Sequence, residues 1–271
     1  MPSSPFIKVL ILGDVVGPLG RQGVKKYLAL HKEKDQFDFV IANGENATHG
    51  HGLSLDHYKE LIADGVDCVT NGNHLFNSPD LFNHVEDFQY AIRPLNLDPG
   101  VPLKGSLIFT LNNGAKIRVS NVLGRVFIPM AQTNPFYAMD EVLKDDKEPI
   151  INLVDFHAEA TAEKRIMAEY LDGRVTAVFG THTHVQTNDP KILNKGTFFL
   201  TDVGMNGAYD SVLGDAKEGS MKRTITGMPA TMEVFKKGKI LVNGLILKIS
   251  TVTGLVEEYQ LVNEEFESDP K

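Results

Sequence analysis

Five short segments of this chain place metal-ligating side chains directly after apolar runs. They are Gly13-Asp14, Asn43-Gly44-Glu45-Asn46, Asn71-Gly72-Asn73-His74, Asp155-Phe156-His157, and Gly180-Thr181-His182-Thr183-His184. Carboxylate, amide oxygen and imidazole are hard-to-borderline ligands suited to manganese, iron, zinc and similar divalent ions. Asp14, Glu45, Asn73, His157, His182 and His184 together exceed what one tetrahedral zinc needs. One carboxylate can bridge two ions, so a two-metal site is the economical reading. His182 and His184, spaced i, i+2, point to the same side of an extended segment. Each fragment alone has an ordinary explanation. Asp14 can cap a helix, the Asn-Gly stretches can be simple turns, and His157 can be a satisfied buried polar residue. Their recurrence at strand ends favours the metal.

The elements that must position these residues follow from periodicity. Residues 7–12, 37–42 and 66–70 read as strands. Between them lie a helix over 21–32, with Val24, Tyr27 and Leu28 at i, i+3, i+4, and one that Ser54 starts and Gly65 ends. This βαβαβ order implies parallel pairing with right-handed crossovers. Residues 106–111 and 116–122 flank Asn112-Asn113-Gly114, a hairpin signal. A second βαβ unit covers 150–154, 160–171 and 175–179. Strands are expected again at 197–200, 231–236, 240–250 and 254–262, with Lys237-Gly238-Lys239 as a turn and an acidic tail that frays beyond Val262. The fold class expected is α/β, with two packed mixed β-sheets flanked by helices. Ligands in such sheets collect at the carboxyl ends of the strands, where all five segments fall.

Composition narrows the function classes. Lys plus Arg number 27 and Asp plus Glu 35 in 271 residues, a net charge of −8, which disfavours an extended nucleic-acid or anionic-membrane surface. The single cysteine, Cys68, excludes an intrachain disulfide framework and a cysteine-rich zinc site; it reads as a buried small apolar residue. The apolar run at 7–12 is too short for a signal or membrane segment, and no run of 18 apolar residues occurs. The expectation is one cytoplasmic domain, residues 1–271.

The order and spacing of the five segments resemble the calcineurin-like metallophosphoesterase superfamily, over residues 13–184. That pattern runs Asp-x-His, Gly-Asp, Gly-Asn-His, a lone His, and Gly-His-x-His. Here Val16 stands where the first His is expected, and Glu45, followed by Asn46, stands where the Asp is expected. With Gly180-Thr181-His182-Thr183-His184, Gly204-Met205 and the long loop after them, the chain resembles the YmdB-like branch throughout its length. The resemblance implies a phosphodiesterase with two divalent ions, iron or manganese ahead of zinc or magnesium. It implies activity on small phosphate esters, including cyclic nucleotides such as 2′,3′-cyclic AMP, by in-line attack of a metal-bridging hydroxide. Asp14 and His184 would hold one ion and Asn73, His157 and His182 the other. Glu45 would bridge, and Asn46 would fill the place of the missing His. His74 would face the phosphate as general acid or charge stabiliser.

Other residues carry weaker readings. His49 and His51 either line a substrate rim or sit in a solvated loop; His31, His57 and His84 read as surface residues. The loop 202–229 reads as a lid or insertion, with Lys217, Lys222 and Arg223 as phosphate contacts and Arg125 as another. Two functions compete with the phosphodiesterase. One is a non-catalytic regulatory protein that keeps the metal site. The other is a dinucleotide-binding oxidoreductase, supported by Gly13, Gly17 and Gly20 after the first strand but not by a full Gly-x-Gly-x-x-Gly fingerprint. A homo-oligomer is left open.

Overall fold

The computed structural model describes residues 5–144 and 151–270. Residues 1–4 of the expected polar lead-in and Ile150, expected to open a strand, lie outside the described residues. The chain begins β1 (Phe6–Val15), α1 (Gly17–Asp35), β2 (Phe39–Asn43), α2 (Leu55–Asp64), β3 (Cys68–Thr70) and the short α3 (Asp80–Asn83). It continues β4 (Ser106–Thr110), β5 (Lys116–Leu123), α4 (Pro135–Leu143), β6 (Ile151–His157), α5 (Thr161–Leu171), β7 (Ala177–Thr181), β8 (Lys191–Ile192) and β9 (Phe198–Leu200). It ends with β10 (Met205–Ala208), α6 (Lys217–Thr226), β11 (Ile240–Ser250) and β12 (Val256–Phe266). One sheet runs β12-β11-β10-β1-β2-β3, with β11 also paired to β1; the other runs β4-β5-β6-β7-β9-β8. Both are mixed: β1, β2, β3 and β10 are parallel, as are β5, β6, β7 and β9, while β4, β8, β11 and β12 run against their neighbours.

Alternation along β1 builds the layers. Ile7, Val9 and Ile11 face the other sheet, meeting Ile117, Leu153, Ala177, Phe179 and Phe198 in the central core. Leu10 and Leu12 face outward onto Val24, Tyr27 and Leu28 of α1. On the far side, Val154, Phe156 and Val178 pack under Met139 of α4 and Met167, Ala168 and Leu171 of α5. This period-two division of apolar residues produces the expected helix–sheet–sheet–helix sandwich. The Ser54 hydroxyl caps α2 by accepting the His57 N–H, and Gly65 closes the helix at φ 109°. The hairpin at 112–114 also forms, joining β4 to β5. No helix among the described residues is long and apolar enough to cross a membrane.

The last third departs from expectation. Residues 202–229 are not one loop: they contain β10, a buried strand inserted between β1 and β11, and the helix α6. Residues 231–236 form no strand; only the isolated bridge of Val234 to Asp215 occurs there, and the Val234 side chain fills the space above Gly17 and Gly50. The tail does not fray at Val262. β12 continues to Phe266, and Asp269 pairs with Lys26 at 2.7 Å. That extension corrects the surface reading of His31, which is buried on α1 with Nδ1 2.9 Å from Asp35 and Nε2 3.1 Å from Glu264 of β12. His57 is half-buried against the Thr48 and Ser54 hydroxyls, whereas His84 is exposed as expected. Cys68 is buried.

Candidate metal centre

Asp14 lies at the end of β1, Glu45 and Asn46 just after β2, and Asn73 and His74 just after β3. His157 is the last residue of β6, and His182 and His184 follow β7. Parallel strands from both sheets therefore deliver their carboxyl ends to one place. Hydrogen bonds join the sheets there, among them the His182 N–H to Asp14 Oδ2 at 3.0 Å, the Thr70 hydroxyl to Asp155 Oδ2 at 2.5 Å and Asn43 Nδ2 to the same oxygen at 3.4 Å.

His157, itself fully buried, is the hub of a first group. Its Nε2 lies 3.1 Å from Asn73 Oδ1, 3.1 Å from His182 Nδ1 and 3.2 Å from Glu45 Oε1. Ligand atoms of Glu45, His157 and His182 all lie within 4.8 Å of one another. The ring's proton is placed by its other side. The Thr181 hydroxyl donates to Asp155 Oδ1 at 2.7 Å, so it accepts at 2.8 Å from His157 Nδ1–H, which leaves Nε2 as the atom facing the cluster, open to a proton or a cation. Gly72 makes room for this convergence: a Cβ there would sit 2.2 Å from Glu45 Oε2 and 2.3 Å from His157 Nε2.

Electrostatics in this group are those of a site short of positive charge. Burial works against the charged form of His157, yet the Glu45, Asp14 and Asp155 carboxylates raise it above the usual imidazole range. Burial likewise works against a charged Glu45, but His157 and the His74 N–H hold it below the usual carboxyl range. His182 is pushed down to about 3 by burial and by His157 beside it, so its ring is neutral and has a lone pair to give.

A second group is looser. His184 Nδ1 donates to the Leu213 carbonyl at 2.8 Å, which turns Nε2 toward Asn46 Nδ2 at 3.1 Å and Asp14 Oδ1 at 3.8 Å. Asp14 Oδ1 and Asn46 Oδ1 are buried and have no hydrogen-bond partner among the described residues. Burial raises the Asp14 carboxyl above its ordinary range. Orphaned buried oxygens beside an imidazole lone pair are costly unless something positive lies between them. The oxygen and nitrogen donors of both groups therefore fit divalent cations.

All eight proposed site residues line or underlie one open cleft of about 300 Å³. His74 lines it, its ring 4.5 Å from that of His51 and its backbone N–H donating to Glu45 Oε2 at 3.0 Å. Burial lowers its pKa. His51 takes the rim position expected of one of the pair, while His49 is exposed and does not line the cleft. Lys217, Lys222, Arg223 and Arg125 do not line it either; the first three are exposed on α6, where Lys217 pairs with Asp210. Val16, where the superfamily pattern has a His, is a buried wall residue. Gly13 and Gly20 serve close packing, since a Cβ would lie 2.0 Å from Gly204 O and 2.3 Å from Asn206 O respectively. Packing against β10 and the segment before it thus accounts for glycines that the dinucleotide reading drew on.

Several contributors escaped the sequence reading. Thr181 and Asp155 lie inside quoted segments and share a strand face with His157, a period-two signal that was available. Glu159, two residues beyond His157, lies 3.0 Å from His182 Nε2. The Leu213 carbonyl carries no residue-type signal at all.

A family model described as YmdB-like protein matches residues 10–262. The chain belongs to the YmdB-like family. A relative, the 2′,3′-cyclic-nucleotide 2′-phosphodiesterase of Bacillus subtilis (strain 168), is 43% identical over 249 residues, covering 91% of this chain and 93% of that protein. The crystal structure of a phosphatase from Mycoplasma pneumoniae superposes with a TM-score of 0.90 at 40% identity, covering 98% of this chain and 95% of that one. The NAD nucleotidase of Haemophilus influenzae shares the fold alone, with a TM-score of 0.58 at 15% identity over 96% of this chain and 55% of its own.

Proposed function

We propose that the protein is a metal-dependent phosphodiesterase of small phosphate esters, with cyclic nucleotides such as 2′,3′-cyclic AMP as its substrates. The convergence of Glu45, Asn73 and His182 on Nε2 of His157 carries the reading. The name of the Bacillus subtilis relative supports the substrate class. The bare oxygens of Asp14 and Asn46 beside His184 support a second ion. Asn73, His157 and His182 would hold one ion and Asp14, Asn46 and His184 the other, with Glu45 shared between them. Divalent ions, manganese or iron ahead of zinc or magnesium, supply Lewis acidity toward the phosphoryl oxygens and a nucleophile drawn from water at neutral pH.

The chain's own residues do the rest. Thr181 and the Leu213 carbonyl hold the protons of His157 and His184 at Nδ1, so both rings present Nε2. Glu45 fixes the backbone of His74, whose neutral ring offers an N–H to the leaving oxygen. The cleft, about 300 Å³, is at the small end of ligand sites and no Lys or Arg lines it among the described residues, which favours a compact, singly charged ester. Ligands drawn from both sheets support reading residues 1–271 as one domain, and the lone buried Cys68 suits a cytoplasmic location.

The test is a panel of phosphate monoesters, cyclic diesters and linear diesters, offered to metal-stripped protein with Mn, Fe, Zn or Mg. Cyclic diester turnover restored by Mn or Fe is expected. Failure of every ester with every metal would sink the proposal.

A further inference from the structure

His182 and His184 both adopt left-handed backbone, at φ 100° and 62°. Such residues persist only where their surroundings over-determine them. Thr183 lies between them and is held by a carboxylate far from any solvent. Asp202 Oδ2 accepts the Thr183 N–H at 3.1 Å, the Thr183 hydroxyl at 2.7 Å and Lys164 Nζ at 2.6 Å. Asp202 Oδ1 accepts the Gly204 N–H at 2.9 Å, and the Gly204 carbonyl in turn accepts the Asp14 N–H at 3.0 Å. Asp14 Oδ2 then accepts the N–H of His182. The hydrogen bonds close a ring from Asp202 through Thr183, His182, Asp14 and Gly204 back to Asp202. Consecutive N–H groups of the turn, at 182 and 183, are captured by different carboxylates.

Lys164 and Asp202 are both fully buried. A buried ion pair is a poor source of stability, because desolvation offsets the attraction and an apolar pair of the same size often does as well. Lys164 reaches its partner past Gly180, where a Cβ would lie 2.8 Å from the lysine Cδ. None of this is needed to fill a core.

We propose that Asp202, neutralised by Lys164, is a positioning residue that locks the turn 182–184 and Asp14 into the geometry that aims His182 and His184 at metal. This rests on the metal reading above. Asp202 touches neither substrate nor ion; it acts through Thr183 and Gly204.

The experiment is a calorimetric titration of metal-stripped protein with Mn²⁺, beside thermal melts of the metal-free protein. Thr183→Val removes the hydroxyl at nearly constant volume and leaves the Lys164–Asp202 pair intact. It is expected to weaken Mn²⁺ binding about 10- to 100-fold, the range for residues that orient metal ligands, while the metal-free melt stays close to wild type. Thr183→Ser keeps the hydroxyl and is expected to restore affinity. The double variant Lys164→Met/Asp202→Asn removes the pair without stranding a charge, and is expected to lose at least as much affinity. Wild-type affinity in both Thr183→Val and the double variant would overturn the proposal. So would an affinity loss that merely follows a lower melting temperature and is not restored by serine. Wild-type protein that takes up no Mn²⁺ would instead overturn the metal reading beneath it.

Discussion

The two halves of the site are built differently. His157 and Glu45 are buried, and three donors lie within 3.2 Å of one nitrogen, His157 Nε2. Around His184 the nearest carboxylate oxygen is 3.8 Å away, and a loop carbonyl does the orienting. The first half stands on strand ends, whose positions the sheets dictate. The second borrows Leu213 from the segment between β10 and α6, and Val16 leaves it without the imidazole the superfamily pattern supplies. One half is positioned by strand ends, and the other depends on the carbonyl of a connecting segment. The His157 half should therefore bind its ion more tightly.

The largest expected effect falls on the residue shared by both halves. Glu45→Gln should lower kcat at least about 10³-fold, the scale of several kcal/mol that metal-held charge stabilisation supplies, with the circular dichroism spectrum unchanged. Paired alanine variants then separate the halves. His157→Ala strands buried carboxylates and should cost about 3–5 kcal/mol of stability in denaturant titrations. His184→Ala removes a ring held by one loop carbonyl and one amide, and should cost only about 1 kcal/mol yet lose one of two bound ions. Equal destabilisation by the two would erase the proposed contrast. A smaller effect is expected from Thr181→Val, which frees the proton of His157 Nδ1. Metal affinity in the buried half should fall about 10- to 100-fold, with binding in the other half kept.

The smallest effect is a pH dependence of the metal-free protein. His157 is raised from 6.5 to about 9, so its contribution is complete below pH 6.5 and is lost as pH rises through that raised value. Glu45 is lowered, so its contribution holds above its ordinary 4.5 and is lost only as pH falls. Asp14, raised by burial from 3.8 to about 6, makes its own loss as pH rises through that lower range and is spent before pH 6.5. Melting temperature of the metal-free protein should thus decline between pH 6.5 and 9. A melt that rises over that range would contradict the charge arrangement around His157.

The ligands of both halves were legible in sequence. Glu45, Asn73, His157 and His182 each follow an apolar run, and strand ends are where sheets deliver side chains. Asp14 and His184 were legible by the same rule. What oriented them was not: the Leu213 carbonyl has no residue identity, and Asp202 is an ordinary acid until the fold carries it beneath Thr183. β10 escaped because its four residues include Gly207 and are buried throughout, so they show neither alternation nor length. His31 was misread because the partner that buries it, Glu264, lies 233 residues away on a strand expected to stop at Val262. Local pattern gave the strands; long-range pairing gave the neighbours.

The most direct test of the metal-dependent phosphodiesterase is to count bound Mn²⁺ while following hydrolysis of 2′,3′-cyclic AMP as the ion is returned to metal-stripped protein. Stripped protein should be inactive, with turnover appearing only as the second, weaker equivalent binds. Hydrolysis by metal-free protein, or two tightly bound equivalents with no diester hydrolysed, would contradict it.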